Sequence, residues 1–472
     1  MDIFFRKKII FSALFCLFLS ACYFEKNDTY EIYSPWLISE ISTQKANVNI
    51  IYYFLRQTHE PLFRKDDGEN YTTKLLNDWG RNQLSTEFTF CPNKNLFFNK
   101  NTRFDDTFFS DYITRTTQKF ESPFSITNIK GCFKIVFKSP QKKYLDFLTF
   151  YENAPTVKRT EAIEDGLGMF YVDAFKKDEV ILKRKKSARF GYNKIIAHKL
   201  DASATSKLSG IDADSGTKDF NFFKPDEIPD QIKHRYITVS ALEIKSVVLI
   251  LNHPDKKVRE LLYNCMDIES LQNAFFYGKN LDFNRIASIL PVGVYGAQSG
   301  KPFQVCEPNK QSAGNEKEIT LGNYYGDSNR IPLETYFQKL QKRTGLNIKI
   351  KDITTDELIS DKKHKGYQLS IIALDATRND PLTFLGMAGD PKRSEYDFRT
   401  LELENIYKSL LHSRDKETEA KLIRAGAEII KNKHLALPLF QIKRKLYYPS
   451  DIKNIIVGRD FLQYPEIAEF RW

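Results

Sequence analysis

The sequence is poor in the residues and spacings that carry covalent or metal chemistry. Its seven histidines include no His-x-x-x-His pair and its six cysteines no Cys-x-x-Cys pair. The ligand spacing of a zinc site is therefore missing, and no metal or other cofactor is expected. Gly-x-Ser-x-Gly is missing as well, and with it the turn that exposes a hydrolase serine. Gly166-Leu167-Gly168 lacks the following lysine and hydroxyl that a phosphate loop needs. These gaps argue against an enzyme. The N-terminal apolar run, Ile9 to Ala21, has 13 residues, short of the ~20 that cross a bilayer. Charge of one sign is not concentrated either. Lys and Arg outnumber Asp and Glu by 71 to 60, a net charge of +11, yet the lysines are spread along the chain. That fits a solvated surface and gives no nucleic-acid partner. The densest cluster, Lys183-Arg184-Lys185-Lys186 with Arg189, directly follows Val180-Ile181-Leu182 and reads as a strand end and loop.

What is present starts at the N-terminus. Arg6-Lys7-Lys8 ahead of a short apolar run is the order of a secretory signal. Leu19-Ser20-Ala21-Cys22 matches the bacterial lipobox, whose cysteine is lipidated and becomes the mature N-terminus. Residues 1–21 are thus read as a lipoprotein signal peptide, Cys22 as the membrane anchor, and 22–33 as lipidated cysteine plus polar tether. The expected location is the periplasm, on the inner or outer membrane. Tyr23, where some inner-membrane lipoproteins have Asp, leans toward the outer one.

Export places Cys91, Cys132, Cys265 and Cys306 in an oxidising compartment. Phe88 and Phe90 share one face of a strand ending at Cys91, and Phe133, Ile135 and Phe137 share one face of a strand starting at Cys132. Each cysteine therefore points opposite its aromatic row. If the strands neighbour each other, Cys91 and Cys132 lie on one sheet face, as a disulfide or as two free thiols. The 37 phenylalanines and 24 tyrosines are read mainly as core.

At 472 residues and 42% hydrophobic, the chain is long enough for two or three lobes. Its organising stretch is Val247–Leu271. Val247 to Leu251 reads as a buried strand, Asn252-His253-Pro254 breaks it, and Val258, Leu261, Leu262 and Cys265 recur on one helix face. Downstream, Ile319–Leu321 and Leu346–Ile350 read as strands around a helix over Leu333–Leu340, an order that predicts parallel pairing. Tyr367–Leu374 is a further apolar run. Helical faces follow at Leu403, Ile406, Tyr407, Leu410, Leu411 and at Leu422, Ile429, Ile430.

Asn252, Pro254, Asp255, Val258-Arg259 and Asp267, with Leu290-Pro291 and Gly293, resemble the segment that opens the second lobe of the family 5 extracellular solute-binding proteins, the peptide and nickel receptors of ABC importers. Further matches stand in family order: Glu60-Pro61-Leu62 before the charged Lys65–Gly68, Trp79, the Phe88/Phe90 strand, Phe104-Asp105-Asp106, Gly166–Val172, Asp375–Leu385 and His434–Gln441. Three positions depart from the family. Thr107 replaces a turn glycine, Ile371-Ile372 a tryptophan, and Thr377 the aspartate that receives a peptide's ammonium group.

The resemblance implies an α/β, two-lobed periplasmic-binding-protein fold of class II with an extra small subdomain. Lobe I would comprise 34–64, 155–250 and 436–472, with 65–154 as its inserted subdomain, and lobe II 251–435. It implies a monomeric receptor that captures an oligopeptide or similar solute and passes it to an ABC-importer permease. Asp375, Phe440 and Gln441 are the implied ligand-binding residues; either a two-residue insertion puts Asp375 in the role of the aspartate that Thr377 replaces, or no free amine is bound there. Two alternatives stand beside it: an interaction or sensory lipoprotein that kept the fold and lost transport, and a receptor for a nickel chelate, haem or oligosaccharide.

Overall fold

Strands of alternating apolar residues have one face to cover and continuously apolar strands two, and among the described residues three sheets of four or more strands, with two two-stranded ones, form around three cores. A computed structural model describes residues 28–34, 40–45, 49–65, 70–99, 101–119, 122–188, 191–200, 217–219, 233–277, 282–298, 300–302, 304–306, 318–323, 329–353, 366–375, 384–386, 389, 400–411, 413, 415–455 and 466–471. Cys22 and residues 1–21, read from sequence as a signal peptide, lie outside them.

The first sheet has five strands, in the order Phe170–Phe175, Glu179–Arg184, Lys194–Lys199, Thr29–Ser34 and Thr217–Asp219. The first two form a hairpin through Lys176–Asp178. Val180, Leu182, Ile195, Ala197, Tyr30 and Ile32 are buried in the core that also takes in the helix Asn49–Thr58. That helix buries Ile50 through Leu55 without a break, so it lies inside the lobe rather than on it. The strand Thr29–Ser34 corrects the tether read over 22–33. Tyr30 and Ile32 alternate with Thr29, Glu31 and Tyr33, and this short period-2 pattern seats the segment between two parallel neighbours.

The inserted subdomain is a four-stranded antiparallel sheet ordered Leu76–Arg81, Glu87–Pro92, Cys132–Phe137, Phe124–Ile129. Phe88, Phe90, Phe133, Ile135 and Phe137 bury one face with Phe109, Tyr112 and Ile113 of the helix Asp106–Gln118. Asp105 caps that helix, its carboxylate accepting from the Phe108 amide at 2.9 Å. A helix therefore begins where the family resemblance implies a glycine turn, so Thr107 needs no left-handed backbone. Phe90 pairs with Phe133, which sets Cys91 against Cys132 on the opposite face, and the two form a disulfide. A second disulfide, Cys265–Cys306, has no counterpart in the sequence reading.

The largest sheet has six strands, ordered Asp282–Arg285, Ala436–Pro449, Tyr236–Leu251, Leu369–Asp375, Ile319–Asn323, Ile348–Asp352. Ile319–Asn323 runs parallel to both of its neighbours, linked to Ile348–Asp352 through the crossover helix Arg330–Thr344. Val247, Leu249 and Leu251 face the core of the helices Lys256–Cys265, Ile268–Phe275 and Arg330–Thr344. Val248 and Ile250 face the core that includes Leu403, Leu410, Ile423 and Ile430 of the helices Leu401–Leu411 and Lys416–Asn432. Asp255 and Asp267 start the first two helices by accepting backbone amides. Lys245–Leu251 hydrogen-bonds within this sheet, so the second lobe's sheet takes in residues ahead of the 250/251 boundary expected from sequence.

Candidate functional site at the ribbon between the lobes

Two strands, Tyr236–Leu251 and Ala436–Pro449, have 16 and 14 residues, against the ~5–6 usual for a strand. Their length follows from serving two cores. In the outer half Leu446 and Tyr448 belong to the core of the first sheet. There the Tyr448 ring lies 5.9 Å from Phe470, which is 5.7 Å from Tyr30. The inner half, Val247–Leu251, is embedded in the second lobe. Between the halves the register jumps, with Leu242 opposite Lys443 and Ser246 opposite Gln441. Glu243-Ile244-Lys245 therefore faces Ile442 alone. Such a bulge bends a ribbon and raises its twist, and here it sits at the junction of the lobes.

The three residues singled out from sequence fall on adjacent rungs at this junction. Asp375 ends its strand opposite Lys245, Gln441 pairs with Ser246 and Asn284, and Phe440 with Val247 and Arg285. Their environments differ. Phe440 is buried, its ring 4.7 Å from Phe283 and 5.3 Å from Phe276. Gln441 is fully buried and uses both ends of its amide on one residue: Val292 N–H donates to Oε1 at 2.8 Å, and Nε2 donates to the Val292 carbonyl at 2.9 Å. Asp375 is the last described residue of its strand. Residues 376–383, with Thr377 and Asp380-Pro381, lie outside the described residues.

Ser246 was missed by sequence reasoning. It is fully buried, and its hydroxyl donates to the Ile289 carbonyl at 2.6 Å. The signal available was a lone hydroxyl entering an apolar run, which must find a partner when buried. Ser246 and Gln441 together tie the segment 286–298 to the ribbon. Within it Gly293 and Gly296 have φ of 99° and 85°, backbone that side-chain-bearing residues avoid. A Cβ on Gly296 would also stand 2.6 Å from Ile423 Cγ2. Among the described residues no group of three His, Cys, Asp or Glu could hold a metal ion, and no helix is long and apolar enough to cross a membrane.

The whole architecture matches solved solute-binding proteins. NikA from Brucella suis, in complex with Fe(III)-EDTA, aligns over 94% of this chain and 99% of its own, with a TM-score of 0.75 and 14% identity. A dipeptide-binding protein from Pseudoalteromonas sp. SM9913, in complex with Met-Leu, gives the same values. The periplasmic binding protein DppA from Helicobacter pylori, in complex with the peptide STSA, aligns at a TM-score of 0.74. The chain has the two-lobed solute-binding-protein fold. No protein-family model matches the sequence, and no curated protein sequence is similar to it.

A second buried node of this solute-binding fold explains two of the sequence motifs. His59 is fully buried after the helix Asn49–Thr58, its ring nitrogens 2.9 Å from Thr58 Oγ1 and 3.3 Å from Thr156 Oγ1. The strand Glu164–Gly166 and the turn after it press onto that helix end. A Cβ on Gly166 would lie 2.4 Å from the His59 ring, and one on Gly168 2.4 Å from the Thr58 carbonyl carbon. The Gly-x-Gly pair is there for close approach. Beside it Asp165, itself buried, accepts three bonds from Arg159, from Nε at both carboxylate oxygens and from Nη2, and one from Asn99.

Burial, with the charge of Lys185 adding to it, pushes the His59 imidazole down to about 3. A cation whose folded pKa is depressed takes up protons mainly when unfolded. Its contribution to stability is therefore complete above about 6.5 and is lost as pH falls, by about 1.4 kcal/mol per pH unit until the folded pKa is reached. The expected outcome is an NMR spectrum in which the His59 ring keeps its neutral shifts down to pH 5. A ring titrating near 6.5 would show that the node is open to water.

Proposed function

We propose that the chain is a lipid-anchored periplasmic receptor that captures a solute between its two lobes and delivers it to the permease of an ABC importer. The observation that carries this reading is the bulged ribbon that joins the lobes, with Asp375 on the rung opposite Lys245. Two lobes on such a joint can close over a ligand, and affinity comes from contacts that exist with both lobes only in the closed state. An oligopeptide is the proposed ligand, because backbone groups can be bonded without reading side chains. Asp375 is proposed to receive its ammonium group through a charge-assisted bond. Phe440 and Gln441 are proposed to act beneath the ligand, Phe440 by filling the core under the ribbon and Gln441 by holding the 286–298 segment. The anchor is Cys22, and the receptor works as a monomer.

A specific observation favours the second reading, a non-peptide ligand or an interaction lipoprotein: Phe440 and Gln441 are already fully occupied within the protein. Native mass spectrometry of a soluble form starting at Tyr23, purified from a periplasm beside an Asp375→Ala copy, separates the two. Peptide masses on the parent and none on the variant support the proposal. Peptides on both remove Asp375 from it, and an empty protein that no peptide mixture stabilises sinks the peptide reading.

A further inference from the structure

Two lysines of the inserted subdomain meet the acidic start of a second-lobe helix. Lys143 Nζ donates to Glu419 Oε1 at 3.0 Å across 276 residues of sequence, with both side chains mostly buried. Lys142 lies close enough to Asp415 to help hold its carboxyl below the usual range, behind the larger effect of the Thr418 amide and hydroxyl. Both sides are rigidly placed. Gln141, next to the lysines, donates to Ser122 Oγ at 2.7 Å and Ser139 Oγ at 3.0 Å, and its own amide bonds the Ser85 carbonyl. Tyr144, on the other side, is fully buried with its hydroxyl 2.6 Å from Thr117 Oγ1. Asp415 caps the helix Lys416–Asn432, whose Ile423 is held against Gly296.

Acidic residues in a first helical turn are explained in part by the helix dipole. The dipole does not explain two adjacent lysines placed opposite from another lobe. Among the described residues the subdomain core contains no second-lobe residue, so the ion pair Lys143–Glu419 has no shared apolar core beneath it and must break whenever the lobes part.

We propose that Lys143–Glu419, supported by Lys142 and Asp415, is a latch that favours the closed form even without solute. The proposal rests on the reading that the two lobes open and close. Its consequence is a salt-sensitive closure, since at 1 M salt charges are screened beyond about 3 Å, and a solute affinity that falls as ionic strength rises.

The test is single-molecule energy transfer on the soluble chain with dyes at Leu84→Cys and Leu411→Cys, exposed positions on either side of the contact. In low salt, Glu419→Lys and Lys143→Glu are each expected to raise the open-to-closed ratio about two- to fivefold, the range of such ion pairs. The double swap is expected to restore the parental ratio, and 1 M NaCl to move the parent toward the single variants. Glu419→Gln, which adds no repulsion, is expected to show the smaller part of the same shift. Single variants that keep the parental ratio, or a swap that fails to restore it, overturn the latch. Failure of the latch leaves the mass-spectrometric result untouched. A working latch on a chain that no peptide mixture stabilises would instead sink the peptide reading alone.

Discussion

Loss of either disulfide is expected to destabilise the protein by about 4 kcal/mol in the chain-entropy description, because each bridge closes a loop with a sequence separation of 41. The two losses differ in where they are felt. Cys91–Cys132 joins strands already zipped through Phe90 and Phe133, so its removal loosens the whole subdomain sheet and its aromatic core. Cys265–Cys306 ties the end of the helix Lys256–Cys265 to a segment otherwise held there by Gln304 on the Tyr263 and Met266 carbonyls. Its removal frees that segment first. Paired Cys→Ala variants in urea denaturation check this, with protection of amides 87–92 and 132–137 lost in the first and of 304–306 in the second. Unchanged urea midpoints in both would show that the bridges are incidental.

Glu60→Ala is expected to cost about 3–5 kcal/mol, the range for removing one partner of a buried ion pair. Glu60 is almost fully buried and accepts from both Nε and Nη2 of Arg64, while Arg64 Nη1 reaches Glu466. Arg56 also meets Glu466, at 3.5 Å, and Gln57 Oε1 accepts the Ile467 amide at 3.0 Å. The carboxylate therefore anchors an arginine that in turn docks the C-terminal segment 466–471 onto the first lobe. The Glu60→Ala chain is expected to unfold at lower urea, and proteolysis is expected to trim its C-terminal segment first. A variant with parental stability and an intact C-terminus would mean that Arg64 is satisfied by Glu466 alone.

How far the sequence showed these features depends on whether the signal was periodic. The stretch from Val247 to Cys265 was legible because strand, break and helix carry distinct periods, and Val258, Leu262 and Cys265 are indeed buried together. The Cys91–Cys132 pair could be read from parity, since two Phe rows fixed which way each cysteine faced. Cys306 has no such neighbours. It stands outside any regular element, and only the Cys265 half of its bridge lay on a legible face. The outer half of the ribbon, Tyr236–Leu242, stayed hidden because the bulge at Glu243–Lys245 breaks its alternation. The bonds of Gln441 to Val292 were not legible, because Val292 is 149 residues away and offers only backbone. Around Asp375 the departures at Ile371-Ile372 and Thr377 were visible in sequence. Ile371 and Ile372 prove to be core residues on opposite faces of the second lobe's sheet.

The central claim is that one solute touches both lobes at the ribbon. The direct measurement is amide hydrogen exchange on the protein as purified from a periplasm, compared with the same protein stripped of solute by unfolding and refolding with its disulfides intact. The account predicts slower exchange in the solute-bound sample on both lobes at once, near the ribbon joint and the end of the strand Leu369–Asp375 on one side and on the first lobe across from it. Slowing confined to one lobe, or identical exchange in the two samples, would contradict capture between the lobes.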